Sequence, residues 1–339
     1  MTPSNRFFSP SEAARRLGVS VKALRLYEQR GLVAPLRTEA GWRVYGPDQM
    51  ERAGEIAALR ALGFSLAQVA RVLKGDAQGL EPALAAHQAA LEGRSRELMA
   101  MVEKVRGVRE ELAQGAAPTT GELARLADPT SGVSAAFDLP WPWGGERFEL
   151  RGLKALTYII GPLGSGKTRL GQRLADTLPE AAFLGLDRPA SIAALEADPA
   201  LRSRVDQTLA WLIEDGASPS EALTDLLAAL ETGTPAVLVI DMIEQGLDQA
   251  TQEALIAHLR RRGSNGRPLI MLTRSSSILD LTVVGPDETV ILCPANHSPP
   301  VPVSPWPGAP GYEAVSTCLA SPDVRARTQG VIAMRPPAA

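Results

Sequence analysis

The chain has 339 residues, 45% of them hydrophobic and 22% charged, and a formal net charge of −3. This length is enough for about two domains, each with a core of its own. No apolar run reaches membrane-spanning length, the N-terminus has no signal-peptide pattern, and the two cysteines, Cys293 and Cys318, lie far apart. These features argue against a membrane partner, a disulfide framework and a structural zinc site, and they favour a cytoplasmic protein.

The small net charge hides an uneven distribution along the chain. Residues 1–75 hold twelve Lys and Arg against six Asp and Glu, whereas residues 116–339 hold eighteen against twenty-five. A basic segment joined to an acidic one predicts a nucleic-acid partner for the first part and a different ligand for the second.

The basic segment begins with the pattern of a helix-turn-helix. Ser9 with Glu12 three residues later is typical of a helix start, and this helix is expected to end at Gly18. Ser20 is a suitable cap for a second helix over residues 21–30. Two short helices joined by a turn that contains glycine form a motif that binds DNA through its second helix.

A short hairpin, or wing, is predicted next, over residues 33–45, with a turn at Gly41. It carries Arg37 and Arg43. A further pair of helices is expected to follow, with a break at Gly63. Arginines on the hairpin and on the second helix would neutralise DNA phosphates, and one or two would reach base edges in the major groove.

Four segments of this module resemble the MerR family of bacterial transcription regulators in order and spacing. They are LRLYE at 24–28, GL at 31–32, GWRVY at 41–45 and GFSL at 63–66. The resemblance implies a winged helix-turn-helix that binds a promoter palindrome in double-stranded DNA as a dimer and acts on RNA polymerase. The family's first tyrosine of an Arg-Tyr-Tyr-Glu stretch is replaced by Leu26. The residues assigned to the DNA interface are Ser20, Lys22, Arg25, Tyr27, Arg37, Arg43 and Tyr45.

A heptad repeat follows over residues 79–114 and predicts one long helix. Its seam consists of Leu84, Leu91, Leu98, Val105 and Leu112. Such a seam favours pairing with a second copy, so we expect a homodimer through this helix; packing on its own domain is the alternative. The resemblance implies an antiparallel pair. Residues 115–142 are rich in Ala, Gly, Pro and Thr and predict a linker.

The most specific pattern is the stretch 161–168, which reads GPLGSGKT and fits the phosphate-binding loop G-x-x-x-x-G-K-S/T. An apolar run at 155–160 predicts a strand before it, and leucines four residues apart predict a helix after it. Glycines let backbone N–H groups face phosphate oxygens, Lys167 reaches the terminal phosphates, and Thr168 holds Mg²⁺. ATP and Mg²⁺ are therefore the predicted ligands, and the binding residues are Gly161, Gly164, Ser165, Gly166, Lys167 and Thr168.

A second apolar run, at residues 236–240, predicts a strand that ends at Asp241. Nucleotide-binding proteins hold the Mg²⁺ water shell with an acid in this place. Asp241 and Thr168 therefore form the predicted Mg²⁺ site. Upstream, Trp143 and Phe148 lie where an aromatic ring can stack on adenine, although core packing is the favoured role for Phe148.

Residues 145–295 resemble the ABC and RecF/SMC group of ATPases in the order of their motifs. The resemblance implies a nucleotide contact at Ser218, with Met242 in place of the usual catalytic glutamate and Arg274 in place of the usual switch histidine. Because the carboxylate next to the Mg²⁺ acid is missing, we expect ATP binding with slow or conditional hydrolysis. The candidate catalytic residues are Arg274 and, if its loop bends, Glu244.

The predicted fold class is therefore multidomain. An α-rich winged helix-turn-helix at 6–75, a coiled-coil helix and a linker precede an α/β P-loop NTPase domain at 143–339. The leading hypothesis is a dimeric regulator in which the nucleotide domain is the switch. One alternative is a small-molecule phosphotransferase that regulates its own operon, with Asp187 facing the substrate. The other is a DNA-transaction ATPase that the N-terminal domain only targets to DNA.

Overall fold

The computed structural model of the protein describes residues 7–76, 80–113, 134–188, 192–262 and 266–320. The chain divides into two compact units. The first is Met1–Pro118 together with Ala210–Asp215, and the second is Thr119–Leu209 together with Gly216–Ala339. Within the described ranges, no helix is long and apolar enough to cross a membrane.

The first unit contains the predicted helix-turn-helix and wing. Its elements are α1 (Pro10–Leu17), α2 (Val21–Gln29), β1 (Leu36–Arg37), β2 (Arg43–Val44), α3 (Pro47–Ala61), α4 (Leu66–Val72) and α5 (Leu80–Ala113). The hydroxyl of Ser9 caps α1 and that of Ser20 caps α2, as their positions in the sequence predict. A small core joins α1 to α4 and includes Leu24, Ile56 and Phe64, all fully buried.

Helix α5 is one continuous element of 34 residues. The five residues of the heptad seam are between 42% and 59% exposed along it. This is a large apolar stripe for a helix surface, and such a stripe is typical of a helix that pairs with another chain.

The second unit contains an α/β sheet domain. Its strands are β3 (Ala135–Asp138), β4 (Arg147–Leu150), β5 (Leu156–Ile160), β6 (Ala181–Leu184), β7 (Val237–Ile240), β8 (Leu269–Leu272), β9 (Glu288–Leu292) and β10 (Val301–Val303). Its helices are α6 (Lys167–Thr177), α7 (Ile192–Ala197), α8 (Pro199–Glu214), α9 (Glu221–Glu231), α10 (Gln249–Arg262) and α11 (Tyr312–Cys318), and the last turn of α8, from residue 210, belongs to the first unit. The predicted α/β domain with its strands before the phosphate loop and before Asp241 is confirmed.

Six strands form one sheet in the order β10-β9-β5-β8-β7-β6, and β3 pairs only with β4. All neighbours in the six-stranded sheet are parallel except β10, which is antiparallel to β9. Strands β5, β7 and β8 are buried along their whole length, as expected for parallel strands covered on both faces. Because only β8 separates β5 from β7, the loops that follow these two strands meet at the same edge.

The predicted linker extends too far towards the C-terminus. Strand β3 lies inside its predicted range, and Ala135 and Phe137 are buried in the core of the second unit. Alternation of apolar and polar residues over only four positions is a weak signal, and the hairpin that β3 forms with β4 supplies its partner. The rest of the predicted linker, residues 115–133, lies outside the described residues.

The short segment Ala210–Asp215 belongs to the first unit. The Asp215 carboxylate, 2% exposed, pairs with the Arg60 guanidinium at 2.7 Å and accepts the Leu66 N–H at 2.8 Å. The Ser65 hydroxyl donates to Glu214. Two carboxylates therefore meet the first turn of α4, where the helix dipole favours negative charge.

Candidate nucleotide site and DNA interface

The phosphate-binding loop connects β5 to α6 and depends on its glycines. A Cβ on Gly166, whose φ is 92°, would lie 2.6 Å from the Trp143 ring. A Cβ on Gly161 would overlap the carbonyl oxygen of Cys293. The loop ends at the N-terminus of α6, where free backbone N–H groups and the helix dipole attract anions. Glycine is therefore required at positions 161 and 166 by the close packing of Cys293 and Trp143, in addition to any contact with phosphate.

Two polar side chains follow the loop and are already oriented. Lys167 Nζ donates to the carbonyl oxygens of Gly161 and Pro162, each at 2.7 Å. The Thr168 hydroxyl, at the start of α6, donates to the carboxylate of Asp241, which directly follows β7, at 2.8 Å. Burial lowers the pKa of Lys167, and an anionic phosphate beside it would act in the opposite direction by stabilising the ammonium.

A tight turn over residues 241–246 brings a second acid to the site. Met242 has a φ of 46°, a left-handed conformation that few residues with a branched or long side chain adopt. The bend buries Glu244 to 3% exposure, and its carboxylate accepts the Arg274 N–H at 3.0 Å. Arg188 Nη2 donates to the Met242 carbonyl at 2.8 Å and holds the turn from the other side. The bend on which Glu244 depended is therefore present.

These groups line one cavity of about 970 Å³, a size at the upper end of small-molecule sites. Lys167, Thr168, Asp241, Glu244 and Arg274 all line it. Its mouth is apolar and exposed, formed by Trp141, Leu163 and Leu186. The cavity combines a phosphate loop and the carboxylates of Asp241, Glu244 and Asp248 with an exposed indole ring.

Trp143, a predicted candidate for stacking on adenine, does not line this cavity, whereas Phe148 has its predicted core role. The indole N–H of Trp143 donates to the Ser298 carbonyl at 3.2 Å, and its ring is 5% exposed beneath the phosphate loop. Phe148 packs against Phe137 with ring centroids 5.5 Å apart. Neither lines the cavity, and Trp141 does. Two tryptophans separated by one proline give no local signal of which one faces inward.

Four residues predicted for the site do not line the cavity, namely Gly161, Ser165, Asp187 and Ser218. The Ser218 N–H donates to the Thr251 hydroxyl at 2.9 Å, and its side chain hydrogen-bonds to Asp248. Burial acts to raise the pKa of Asp248, but hydrogen bonds from Thr251 and from the Ser218 side chain outweigh it and lower the pKa. Asp248 does line the cavity, so Ser218 reaches the site through it, and its own nucleotide contact stays a prediction. Asp187 is exposed and does not line the cavity.

The cations predicted to face DNA lie on α2 and on the hairpin of β1 and β2. Arg25, Arg37 and Arg43 are exposed, and Lys22 is half-buried. Arg37 stands directly opposite Arg43 in the hairpin, a pairing of like charges that an anionic partner would stabilise. The Glu28 carboxylate, 3.0 Å from Arg43, offsets part of this repulsion. Trp42 at the hairpin turn is 74% exposed.

Three residues assigned to the DNA interface have structural contacts inside the module. Tyr27 and Tyr45 belong to its core, with exposures of 4% and 0%. The Tyr45 hydroxyl donates to Glu28, and burial together with this carboxylate raises the pKa of Tyr45. The Ser20 hydroxyl accepts the Ala23 N–H at 3.0 Å. Both tyrosine rings are buried and therefore cannot contact DNA from the surface of the module.

Known proteins resemble the two parts of the chain separately. A protein of Haemophilus influenzae named "Probable heavy metal-dependent transcriptional regulator" is 37% identical over 102 residues, which are 28% of this chain and 80% of that protein. The DNA-bound crystal structure of HiNmlR, a MerR family regulator lacking the sensor domain, is 21% identical, with a TM-score of 0.26 over 33% of this chain and 92% of that one. An inward-facing metal-chelate type ABC transporter is 13% identical, with a TM-score of 0.37 over 51% and 83%.

Fold and site define a helix-turn-helix DNA-binding protein that carries a P-loop nucleotide-binding domain. The family model described as "MerR HTH family regulatory protein" matches residues 8–76, and the one described as "AAA domain" matches residues 150–285. The chain belongs to the MerR family and is a MerR-type transcriptional regulator with an AAA domain. The predictions of both modules and of nucleotide binding by the second are confirmed.

Proposed function

We propose that this regulator binds ATP with Mg²⁺ at residues 161–168 and that nucleotide occupancy switches its action at a promoter. The observation that carries the proposal is the pairing of Thr168 with Asp241 beside Lys167, in a chain that also holds a MerR-type DNA reader. It places the Lys167 ammonium, which would bind phosphate, beside the Thr168 and Asp241 oxygens, which would bind a metal ion.

The residues around the phosphate loop fit ATP–Mg²⁺. Mg²⁺ prefers oxygen ligands and keeps several waters, so one hydroxyl and one carboxylate are sufficient protein ligands when phosphates supply the rest. Thr168 and Asp241 would hold the ion. Backbone N–H groups of the loop and Lys167 would hold the phosphates, and Trp141 at the cavity mouth would stack on the base.

Hydrolysis is proposed as slow. Bound Mg²⁺ supplies charge neutralisation at the transferring phosphate, and the protein must orient water. Glu244 lines the cavity, but its carboxylate is engaged by the backbone of Arg274. A carboxylate held by a backbone N–H is less free to turn towards a water, which supports binding as the main role of the site.

The DNA-binding part acts as a dimer on a palindromic site. Arg25, Arg37, Arg43 and Lys22 would contact phosphates and base edges, and the exposed seam of α5 would pair two copies. The distance between the two DNA-binding modules of the dimer would then determine the effect on transcription by RNA polymerase.

The segment from Asp215 to Ser218 supports coupling of nucleotide to DNA binding. In the DNA-binding unit, Asp215 pairs with Arg60 of α3 and accepts the backbone N–H of Leu66 at the start of α4. Three positions later, Ser218 is held by Asp248, which lines the nucleotide cavity. A shift of Asp248 on nucleotide binding would therefore reach Asp215 through a very short stretch of chain.

The proposal is tested by selection of bound sites from a pool of random duplex DNA, with and without ATP–Mg²⁺. We expect a palindromic site whose recovery changes with nucleotide. Recovery of DNA without any sequence preference, together with DNA-stimulated ATP hydrolysis, would instead support the DNA-transaction ATPase.

A further inference from the structure

The turn that follows β9 is in contact with the phosphate loop. Over residues 294–298 the His297 N–H donates to the Pro294 carbonyl at 3.2 Å, and the Ser298 N–H donates to the Asn296 side chain at 3.1 Å. His297 has a φ of 59°, in the left-handed region. Histidine adopts this region more often than most residues but at some cost, so the turn holds His297 in a defined place.

The imidazole of His297 reaches the phosphate loop directly. Its Nε2 lies 3.1 Å from the carbonyl oxygen of Gly164. A carbonyl oxygen only accepts hydrogen bonds, so Nε2 must carry the hydrogen, either in the neutral Nε2–H tautomer or in the imidazolium. This contact therefore fixes which ring nitrogen of His297 carries a hydrogen and which carbonyl accepts it.

The same turn supports the loop at two further glycines. The Ser298 carbonyl accepts the Trp143 indole N–H, and the Trp143 ring lies against Gly166. Cys293, just before the turn, packs against Gly161. The segment from Cys293 to Ser298 therefore contacts the phosphate loop at Gly161, Gly164 and Gly166. Among the described residues of this segment, only His297 forms a side-chain hydrogen bond to the loop backbone.

A held carbonyl fixes the peptide to which it belongs. The Gly164 carbonyl shares its peptide plane with the Ser165 N–H, so the hydrogen bond to His297 restricts rotation of both. Phosphate loops bind through backbone N–H groups that must all face one anion. Glycine has the most conformational freedom to lose, so an external hydrogen bond here reduces the entropy cost of ligand binding.

We infer that His297 is a positioning residue of the phosphate loop, which donates from Nε2 to Gly164 and thereby increases nucleotide affinity. This inference rests on the proposed binding of ATP at the same loop. Nothing in the motif at residues 161–168 points to His297, because it lies more than a hundred residues later and reaches the loop only through the sheet order.

Two substitutions separate the hydrogen bond from the backbone conformation. Asparagine tolerates a positive φ, but its amide ends near the place of Nδ1 and falls short of Gly164. Glutamine is long enough to donate an amide N–H at the place of Nε2. His87→Ala on α5 is the matched control, since it removes a histidine from the other unit.

The affinity of the full chain for a fluorescent ATP analogue with Mg²⁺ is the measurement. We expect His297→Asn to weaken binding about fivefold, the effect of one hydrogen bond, and His297→Gln to restore it to within about twofold. His87→Ala should bind as wild type. Wild-type affinity in His297→Asn, or equal weakening in the Asn and Gln variants, overturns the inference. Absence of ATP binding by the wild type would instead refute the proposed function.

A second readout reports the chemical form of the side chain. The chain has only three histidines, so long-range proton–nitrogen spectra of the full chain resolve each imidazole after assignment with His87→Ala and His297→Gln. We expect His297 to carry a hydrogen on Nε2. The Nδ1–H tautomer would contradict the hydrogen bond to Gly164 and with it the inference.

Discussion

The two units present different kinds of phosphate-binding groups. On α2 and the wing, exposed side chains such as Arg25 and Arg37 offer charge on flexible stems, with the carboxylate of Glu28 as a neighbour. In the loop after β5, half-buried Lys167 and backbone glycines offer a fixed geometry in a cavity. The first arrangement suits a long polyanion that is read at many points, and the second suits one small ligand that is held at every oxygen.

This difference teaches where affinity resides in each unit. Contacts of exposed arginines with DNA are individually weak, additive and screened by ions. Contacts in a buried loop are few and depend on one another, because each requires the same backbone conformation. Salt should therefore separate the two activities more strongly than any single substitution in the DNA reader.

The largest expected effect is that of ionic strength. Raising salt from about 50 to about 200 mM should weaken promoter binding by about 10³-fold, because counterions compete for each phosphate contact. ATP affinity should change by less than about tenfold over the same range, since a partly buried site is screened less. Fluorescence anisotropy of labelled DNA and of labelled ATP measures both.

Arg37→Ala is the control for the salt experiment. In the proposed dimer it removes about one phosphate contact from each copy and should reduce the slope of log affinity against log salt by about two. Equal salt dependence of the two ligands would contradict the contrast between the units.

A substitution in the loop should have the next largest effect. Lys167→Ala is expected to weaken ATP binding by about 10²-fold, since hydrogen bonds to charged groups contribute about 1.5–3 kcal/mol each. Promoter affinity without nucleotide should not change. Isothermal titration gives the first value, with Lys154→Ala as a matched surface lysine; a similar loss in both variants would show that Lys167 has no special role.

A smaller effect is expected at the cavity mouth. Trp141→Ala should weaken ATP binding by about tenfold, because stacking of a base on an aromatic ring contributes about 1–3 kcal/mol. Inorganic triphosphate has no base, so its binding should be unaffected. Trp306→Ala, which removes another exposed tryptophan, serves as control. Equal losses for ATP and triphosphate would mean that Trp141 supports the fold of the site rather than the base.

The parts of the fold that sequence could predict are those in which neighbours in the chain carry the signal. The loop at 161–168, the buried strands before it and before Asp241, and the capped helices α1 and α2 are all defined by contiguous residues. Their hydrogen-bond partners lie within a few positions, or in a parallel sheet that their apolar runs already indicate.

The parts that could not be predicted depend on distant contacts. Trp141 faces the cavity and Trp143 the core because Ser298, far along the chain, accepts the indole hydrogen of Trp143. Tyr45 is buried because Glu28 accepts its hydroxyl hydrogen. Glu244 reaches the site because Met242 adopts a left-handed conformation, which no local pattern predicts. Each case is decided by packing, which overrides local preference.

The central claim, that nucleotide occupancy changes promoter binding, is tested most directly by one titration. The affinity of the full chain for its selected promoter site is measured with and without ATP–Mg²⁺, for the wild type and for Lys167→Ala. We expect ATP–Mg²⁺ to change the wild-type affinity by at least about fivefold, the lower end of typical coupling between two sites, and to leave Lys167→Ala unchanged. Identical affinities for both proteins under both conditions would contradict the account.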